Sequence, residues 1–393
     1  MVALTARDNE PLSGAPVEET AILRITRNPA LTHPLRAQSA LVLSGTTDAL
    51  PDGFGAILTA IPPAANWDSK LRVIRLSPQL EYLNDGDVIK ITPRYQIRAI
   101  FRKNARTNSL LVTERCNSFC VMCSQPPRDI NDSYIVDDLM RAIPLFDRGA
   151  REIGITGGEP TLIGQSLFAL IERLKNYLPE TGVHILSNGR NFKNIELAQS
   201  IARIRHPDLM IGIPLYSDVA SIHDFVVQAD GAFDETLAGI LNLKRCGVRV
   251  EIRVVIHRET YKRLPALARF IARNLLFVDH VALMGLELMG FAKSNLDAIW
   301  IDPVDYQPQL REATEWLAAN RMRVSIYNHQ LCLLDPAIRR FAVKSISDWK
   351  NEYMPECEGC ELKRDCGGFF SSAKLRYSSH IRPQRADVPA TAS

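Results

Sequence analysis

The spacing of apolar positions changes at about Ser109, and the change divides the chain. Before it, short runs rich in Val and Ile alternate with Gly, Pro and Asp: AILRITR from Ala21, SALVLSG from Ser39, LRVIRLS from Leu71 and DVIKITPRYQIRAIF from Asp87. Runs of this length, rich in β-branched residues and bounded by turn formers, predict strands, so residues 21–105 read as a small β-rich domain. The triplet Asn84, Asp85, Gly86 ahead of DVIKI is its clearest hairpin signal. Residues 1–20 are polar, carry Pro11 and Pro16, and read as a flexible leader.

After Ser109 the order becomes strand, glycine-containing turn, helix, and it repeats. LLVTE from Leu110 is the first strand, and Ile135, Leu139, Ile143 and Phe146 follow at helical spacing. EIGIT from Glu152 is the second strand, with Leu167, Leu170, Ile171, Leu174 and Leu178 on one face of the next helix. VHILS, MIGIPLY, VRVEIRVVI and HVALMGLEL continue the strands, and Gly247 fits a helix C-cap. Six strand–helix units over residues 106–305 predict an α/β core, a parallel sheet wound into an open or partial barrel. In such sheets ligands gather at the carboxyl ends of the strands.

Charge adds little. The formal net charge is +3, from 47 basic and 44 acidic residues, which does not point to a nucleic-acid partner. No run of about 18 apolar residues predicts a membrane span, and the N-terminus lacks the basic-then-apolar layout of a secretory signal; the expectation is a cytoplasmic protein.

Cysteine placement changes the picture. Seven of the eight cysteines fall into two groups, Cys116, Cys120, Cys123 and Cys332, Cys357, Cys360, Cys366, and such grouping argues for metal. The first group directly follows the first strand of the core, where a cofactor is expected. Structural zinc needs four protein ligands, so here a distant His184 or His257 would have to complete it. A 4Fe–4S cluster held by three thiolates instead leaves one iron open to a small chelator, and S-adenosylmethionine, with an amine and a carboxylate on one carbon, is such a chelator.

Cys-x3-Cys-x2-Cys after the first strand resembles the radical S-adenosylmethionine (radical SAM) superfamily, with Cys116, Cys120 and Cys123 at its three ligand positions. One position is a departure: Met122 stands where an aromatic is common, and is expected to pack on the adenine. Gly157, Gly158 and Glu159, after the second strand, resemble the family's Gly-Gly-Glu turn. The resemblance implies that they receive the methionyl ammonium. Ser187, Asn188, Ser217 and Arg253 match later positions that contact ribose or the methionine carboxylate.

The sequence CEGCELKRDCGG places Cys357, Cys360 and Cys366 close together, with Cys332 upstream. Four thiolates can close an auxiliary 4Fe–4S cluster or a tetrahedral zinc site, and the spacing does not choose. Residues 306–375 resemble the C-terminal twitch/SPASM extensions of peptide-modifying radical enzymes. Phe369 and Phe370 stand where the full SPASM pattern has a further cysteine, which points to one auxiliary cluster. Cys246 reads as a core residue, and residues 376–393 as a disordered tail.

The layout, together with LNDGDVIKI, NSLLVTERCNS and MCSQPP, most resembles the C-type radical SAM maturase of the His-Xaa-Ser repeat peptide system. That resemblance implies a ribosomally made peptide substrate with His-Xaa-Ser repeats, a second radical SAM maturase as partner, and a one-electron donor such as a flavodoxin or ferredoxin. A radical SAM enzyme acting on a small molecule, and a non-catalytic zinc or redox-sensing protein, are the alternatives. His223 and Asp224 read as packing and capping residues. Tyr216, His257 and Glu287 sit at strand ends with nothing to select one as a hydrogen-atom donor.

Overall fold

The computed structural model describes residues 4–13, 18–43, 45, 50–61, 71–344 and 352–385. Its first sheet comprises β1 (Thr5–Ala6), β2 (Glu10–Ser13), β3 (Ala21–Thr26), β4 (Ser39–Leu43), β5 (Ala56–Thr59), β6 (Val73–Arg75), β7 (Val88–Ile91) and β8 (Ile97–Phe101). The order is β1-β8-β7-β3-β4-β5-β6-β2. Strands β3 to β6 run parallel and the others pair antiparallel.

Two expectations change here. The segment read as a flexible leader supplies β1 and β2, which cover the two edges of this sheet, and Glu10 pairs with Arg75 at 2.7 Å. Leader residues 1–3 and 14–17 lie outside the described residues. The turn at Asn84–Gly86 is real, with Gly86 at φ +89, but it leads from a 3-10 turn (Pro78–Leu80) into β7. The hairpin is the next connection, β7 to β8, closed by the Thr92 N–H donating to Gln96 O at 3.0 Å.

The second sheet is parallel throughout and follows chain order: β9 (Thr107–Leu111), β10 (Glu152–Thr156), β11 (Gly182–Leu186), β12 (Leu209–Pro214), β13 (Arg249–Ile256), β14 (His280–Gly285), β15 (Val324–Tyr327) and β16 (Ala342–Val343). Alternation along the strands separates two faces. Ile153, Ile155, Val183, Ile185, Ile211, Ile213, Val250 and Ile252 join the core with the helices that cover the sheet. Glu152, His184, Glu251 and Arg253 take the other parity, toward the interior of the curled sheet. The helix Gln165–Tyr177 buries Leu167, Leu170, Ile171 and Leu174, as its spacing predicts. Gly247, at φ +76, ends the helix Ala232–Arg245 with Val248 N–H bonded to Leu243 O.

The sheet does not stop at residue 305. The helix Gln307–Ala319 buries Leu310, Ala313 and Leu317 and packs against the helix Leu264–Asn274, and β15 and β16 extend the half-barrel past six strands. Residues 352–385 form short 3-10 turns around a bridge between Glu352 and Phe369. The tail expected to be disordered from residue 376 is packed to residue 385: Ser378 and Ile381 are buried, Ile381 beside Leu333, Met354 and Phe369. Residues 386–393 lie outside the described residues. No helix among the described residues is long and apolar enough to cross a membrane.

Candidate functional site

The loop carrying Cys116, Cys120 and Cys123 leaves the carboxyl end of β9 and is held at its base by Asp132. That buried carboxylate accepts from Thr113 Oγ at 2.8 Å, Glu114 N at 2.6 Å and Arg115 Nε at 3.3 Å. Further along, Phe119 N and Val121 N donate to the carbonyls of Val227 and Val226, at the end of the helix Ala220–Val227. Asn295 Nδ2 donates to Val121 O at 2.8 Å and Phe291 N to Cys123 O at 2.8 Å. Arg190, on the loop after β11, donates through Nη1 to Asn117 O and to Ser118 Oγ. Three other loops thus fix the cysteine loop, and the fixing residues Arg190, Asn295 and Phe291 carry no signal in the sequence.

Burial pushes the Cys116 thiol up to about 11 and the Cys120 thiol to about 12, and raises that of Cys123. Each therefore gives up a proton when it takes a metal near neutral pH. Met122 is buried with Tyr216, Val226 and Val227, and Cys120 packs on the same cluster.

The Gly-Gly-Glu turn lies directly against this loop. A Cβ on Gly157 would stand 2.3 Å from Thr113 O, and one on Gly158 would stand 2.1 Å from Arg115 O and 3.1 Å from Cys116 Cβ. Both glycines are required by the approach of one backbone to another. The Glu159 side chain turns inward. Its Oε1 accepts from Thr161 N at 3.0 Å, Thr161 Oγ at 2.6 Å and Ser187 Oγ at 2.8 Å, and its Oε2 from Asn188 N at 2.7 Å. This carboxylate, fully buried, ties the turn after β10 to the turn after β11.

The remaining expected contacts divide. Asn188 reaches the cysteine loop: Nδ2 donates to Asn117 Oδ1 at 2.5 Å and lies 3.9 Å from Cys116 Sγ. Ser187 is buried, bonded to Glu159 and to Gly189 N. Ser217 Oγ caps its own turn through Val219 N. Arg253 Nη1 is bonded at 2.7 Å to Glu251, two residues toward the start of β13. Glu251 also meets His280 Nδ1 at 2.6 Å, with His184 Nε2 at 3.5 Å. Burial alone would raise the Glu251 carboxyl, but the His280 hydrogen bond and the Arg253 and histidine charges hold it down at about 2. Burial lowers the His184 pKa to about 4, so this ring stands as a neutral neighbour of the Glu251–Arg253–His280 network.

His223 and Asp224 pack and cap as expected: His223 Nδ1 accepts from Tyr216 N, and Asp224 bonds Gly231 N and Phe233 N. Cys246 is packed against the main core. Glu287 follows β14, its carbonyl accepting from Met289 N. His257, one residue past β13, is fully buried with neither ring nitrogen bonded among the described residues, and its ring lies 6.4 Å from that of Tyr216. Burial lowers its pKa to about 4.

The residues present fit a cluster with a small chelating ligand. Three partly buried thiols sit on one clamped loop, a side-chain amide is near Cys116, and a buried imidazole lacks partners close to Tyr216. Among the described residues no three metal-ligating side chains stand at the spacing of a single ion.

The second cysteine group also converges. Cys332, Cys357, Cys360 and Cys366 line one pocket of about 320 Å³ together with Arg382 and Gln384. Backbone N–H groups of Leu331 and Gly368 point at Cys366 Sγ at 3.4 and 3.5 Å, and Gln384 N at Cys360 Sγ at 3.4 Å. A separate cavity of about 690 Å³ opens at the carboxyl ends of β13 to β15, walled by Trp300, Tyr306, Phe369, Phe370 and Tyr377. Its lining includes Leu288, two residues from Gly290, where a Cβ would stand 2.5 Å from Cys123 O, and Gly367, beside Cys366.

Residues 110–271 match the family model of the radical SAM superfamily, so this stretch is a radical SAM domain, and its cofactors are a 4Fe–4S cluster and S-adenosylmethionine. The chain is 26% identical over 160 residues to Fe-coproporphyrin III synthase of Methanosarcina barkeri, covering 40% of this chain and 38% of that protein. It is 25% identical over 197 residues to the pyruvate formate-lyase-activating enzyme of Clostridium pasteurianum, covering 46% and 77%. The chain thus spans well under half the length of the first of these. Among solved structures, native anSMEcpe with bound AdoMet aligns with a TM-score of 0.50 at 15% identity, covering 70% of this chain and 92% of that one, a likeness of fold.

Proposed function

We propose that this chain is a radical SAM enzyme that modifies a ribosomally made peptide carrying His-Xaa-Ser repeats, working in the cytoplasm with a second radical SAM maturase. The observation that carries the radical chemistry is the clamped loop of Cys116, Cys120 and Cys123 lying against the Gly157–Glu159 turn at the carboxyl ends of a parallel half-barrel. Bound there, the cluster and S-adenosylmethionine supply a 5′-deoxyadenosyl radical by reductive cleavage, given an electron from a donor such as a flavodoxin or ferredoxin. The three cysteines hold the cluster. Asn188 directs its amide toward Cys116, Glu159 holds the two turns together, and Met122 and Tyr216 supply apolar wall. The aromatic-walled cavity at the carboxyl ends of β13 to β15 is suited to hold a target side chain.

The peptide reading is supported by the motifs NSLLVTERCNS and MCSQPP and by the C-terminal cysteine module. In that module Cys332, Cys357, Cys360 and Cys366 hold an auxiliary 4Fe–4S cluster. The backbone N–H groups aimed at Cys366 and Cys360 favour thiolate there. A small-molecule substrate is the second reading, favoured by the likeness to a coproporphyrin synthase.

Anaerobic co-expression with a repeat peptide and the second maturase, followed by peptide mass measurement, tests the proposal. The expected result is a mass change lost in Cys116→Ala/Cys120→Ala/Cys123→Ala, with about eight irons per parent chain. A mass change that survives the triple variant overturns the radical assignment. An unchanged peptide mass alongside 5′-deoxyadenosine formation overturns the peptide assignment alone.

A further inference from the structure

A second region of the molecule, at the junction of the two sheets, also forms a site. It is a cleft of about 1760 Å³ between the two sheets, with β8 on one side and β9 on the other. These strands are consecutive in the chain but belong to different sheets, and they splay apart from the turn that joins them. Asn108 closes the narrow end, accepting from Arg102 N at 2.8 Å and donating to Arg102 O at 3.1 Å. Beyond it the edges are open. Among the described strands β9 pairs only with β10, and β1 covers β8 only at Ile97 and Arg98, with Ala99 N bonded to Leu4 O.

Side chains give the cleft a sign. Lys90, Arg94, Arg98 and Arg102 line it against Glu114 and Asp138, four cations to two carboxylates. Both carboxylates already have partners, Glu114 in Arg128 at 3.1 Å and Asp138 in Lys90 and Arg141. Arg94 and Arg98 are exposed, and their side chains make no hydrogen bond or ion pair among the described residues. Tyr134, half exposed and lying under the Lys90 ammonium at 4.9 Å, offers the cleft an apolar face.

We infer that this cleft binds an extended, acidic polypeptide segment, which adds as a strand to the free edge of β9 while its carboxylates meet Arg94 and Arg98. Strand addition uses backbone groups for affinity and alternate side chains for selection, and both are present here. A polyphosphate such as a nucleic acid has no backbone N–H and C=O groups to pair with the edge of β9. The inference stands on the cleft alone and does not depend on the radical chemistry.

Fluorescence anisotropy with the full chain tests it. The probes are a labelled peptide of about ten residues alternating Glu with Val or Thr, its Lys-for-Glu counterpart, the acidic peptide N-methylated at alternate residues, and a single-stranded oligonucleotide of equal charge. The acidic peptide is expected to bind saturably and more weakly as salt rises, and Arg94→Glu/Arg98→Glu to weaken it at least about tenfold. N-methylation is expected to have a comparable effect, whereas Arg94→Lys/Arg98→Lys retains binding. An unchanged thermal midpoint shows that the charge-reversed variant is folded. Absence of saturable binding, equal binding of the Lys peptide or of the N-methylated peptide, tighter binding of the oligonucleotide, or indifference to charge reversal would each overturn the proposal.

Discussion

Glu159 receives four hydrogen bonds while fully buried, and two of the donors are the backbone N–H groups of Thr161 and Asn188, one on each carboxylate oxygen. An amide at this position presents an NH₂ to one of those N–H groups in either orientation, leaving a buried donor unpaired. Glu159→Gln is therefore expected to lower stability by about 2 kcal/mol, read from the urea midpoint at unchanged m-value. A variant as stable as the parent would show that the four bonds do not hold the two turns. The place of the Gly-Gly-Glu turn was legible because it follows a strand at the length of one helix from the cysteines. The direction of the carboxylate was not, because its partners Ser187 and Asn188 lie 28 and 29 residues away on another loop. Arg253 misleads for the opposite reason. Its partner Glu251 is only two residues off, and on a strand that spacing puts both side chains on one face.

The cysteine loop owes its shape to elements remote in sequence, and Gly290 makes one of the closest of these contacts. It sits at φ +55, ψ −128, a conformation essentially confined to glycine, and a Cβ would stand 2.5 Å from Cys123 O and 2.7 Å from Pro126 Cδ. This contact also accounts for Pro126, the first proline after the cysteines, which packs under the Gly290 turn. Gly290→Ala is expected to cost about 1–3 kcal/mol locally and to displace the carbonyl of Cys123. Its observable consequence is the loss of up to about four irons per chain with an unchanged far-ultraviolet spectrum. Retention of the parental iron content would show that the turn does not shape the cluster loop. Six core strands were legible because each alternates or runs apolar beside a helix-period segment. The strands β15 and β16 were not, being only four and two residues long and lying in a region whose cysteines point to a separate extension.

The first sheet packs most of its buried residues into clusters of its own, Leu23, Ile25, Ile89 and Ile91 in one and Leu41, Ile57 and Val73 in another, yet one part of it also enters the barrel core. Ile22, Val88 and Phe101 of the first sheet belong to the same buried cluster as the barrel strands and their helices, and Phe101 stacks on Phe146 with centroids 4.5 Å apart. Ion pairs reinforce the junction: Lys90 with Asp138, both largely buried, and Lys103 with Asp147 at 3.3 Å. The change of rhythm near Ser109 correctly marks where one sheet ends and the next begins. The shared core was not legible, because an apolar residue on a strand does not declare which neighbouring unit it faces. If the core is shared, cutting a hole at the junction must weaken both sheets together. Phe101→Ala is expected to cost about 3–5 kcal/mol, the range for truncating a buried aromatic. Native-state hydrogen exchange reads the outcome: amides of β4 and β5 and amides of β11 and β12 should lose protection by the same factor, because they open in one cooperative event. Loss confined to β4 and β5 would mean that the first sheet unfolds on its own, and that the cleft between the sheets is bordered by two independent bodies.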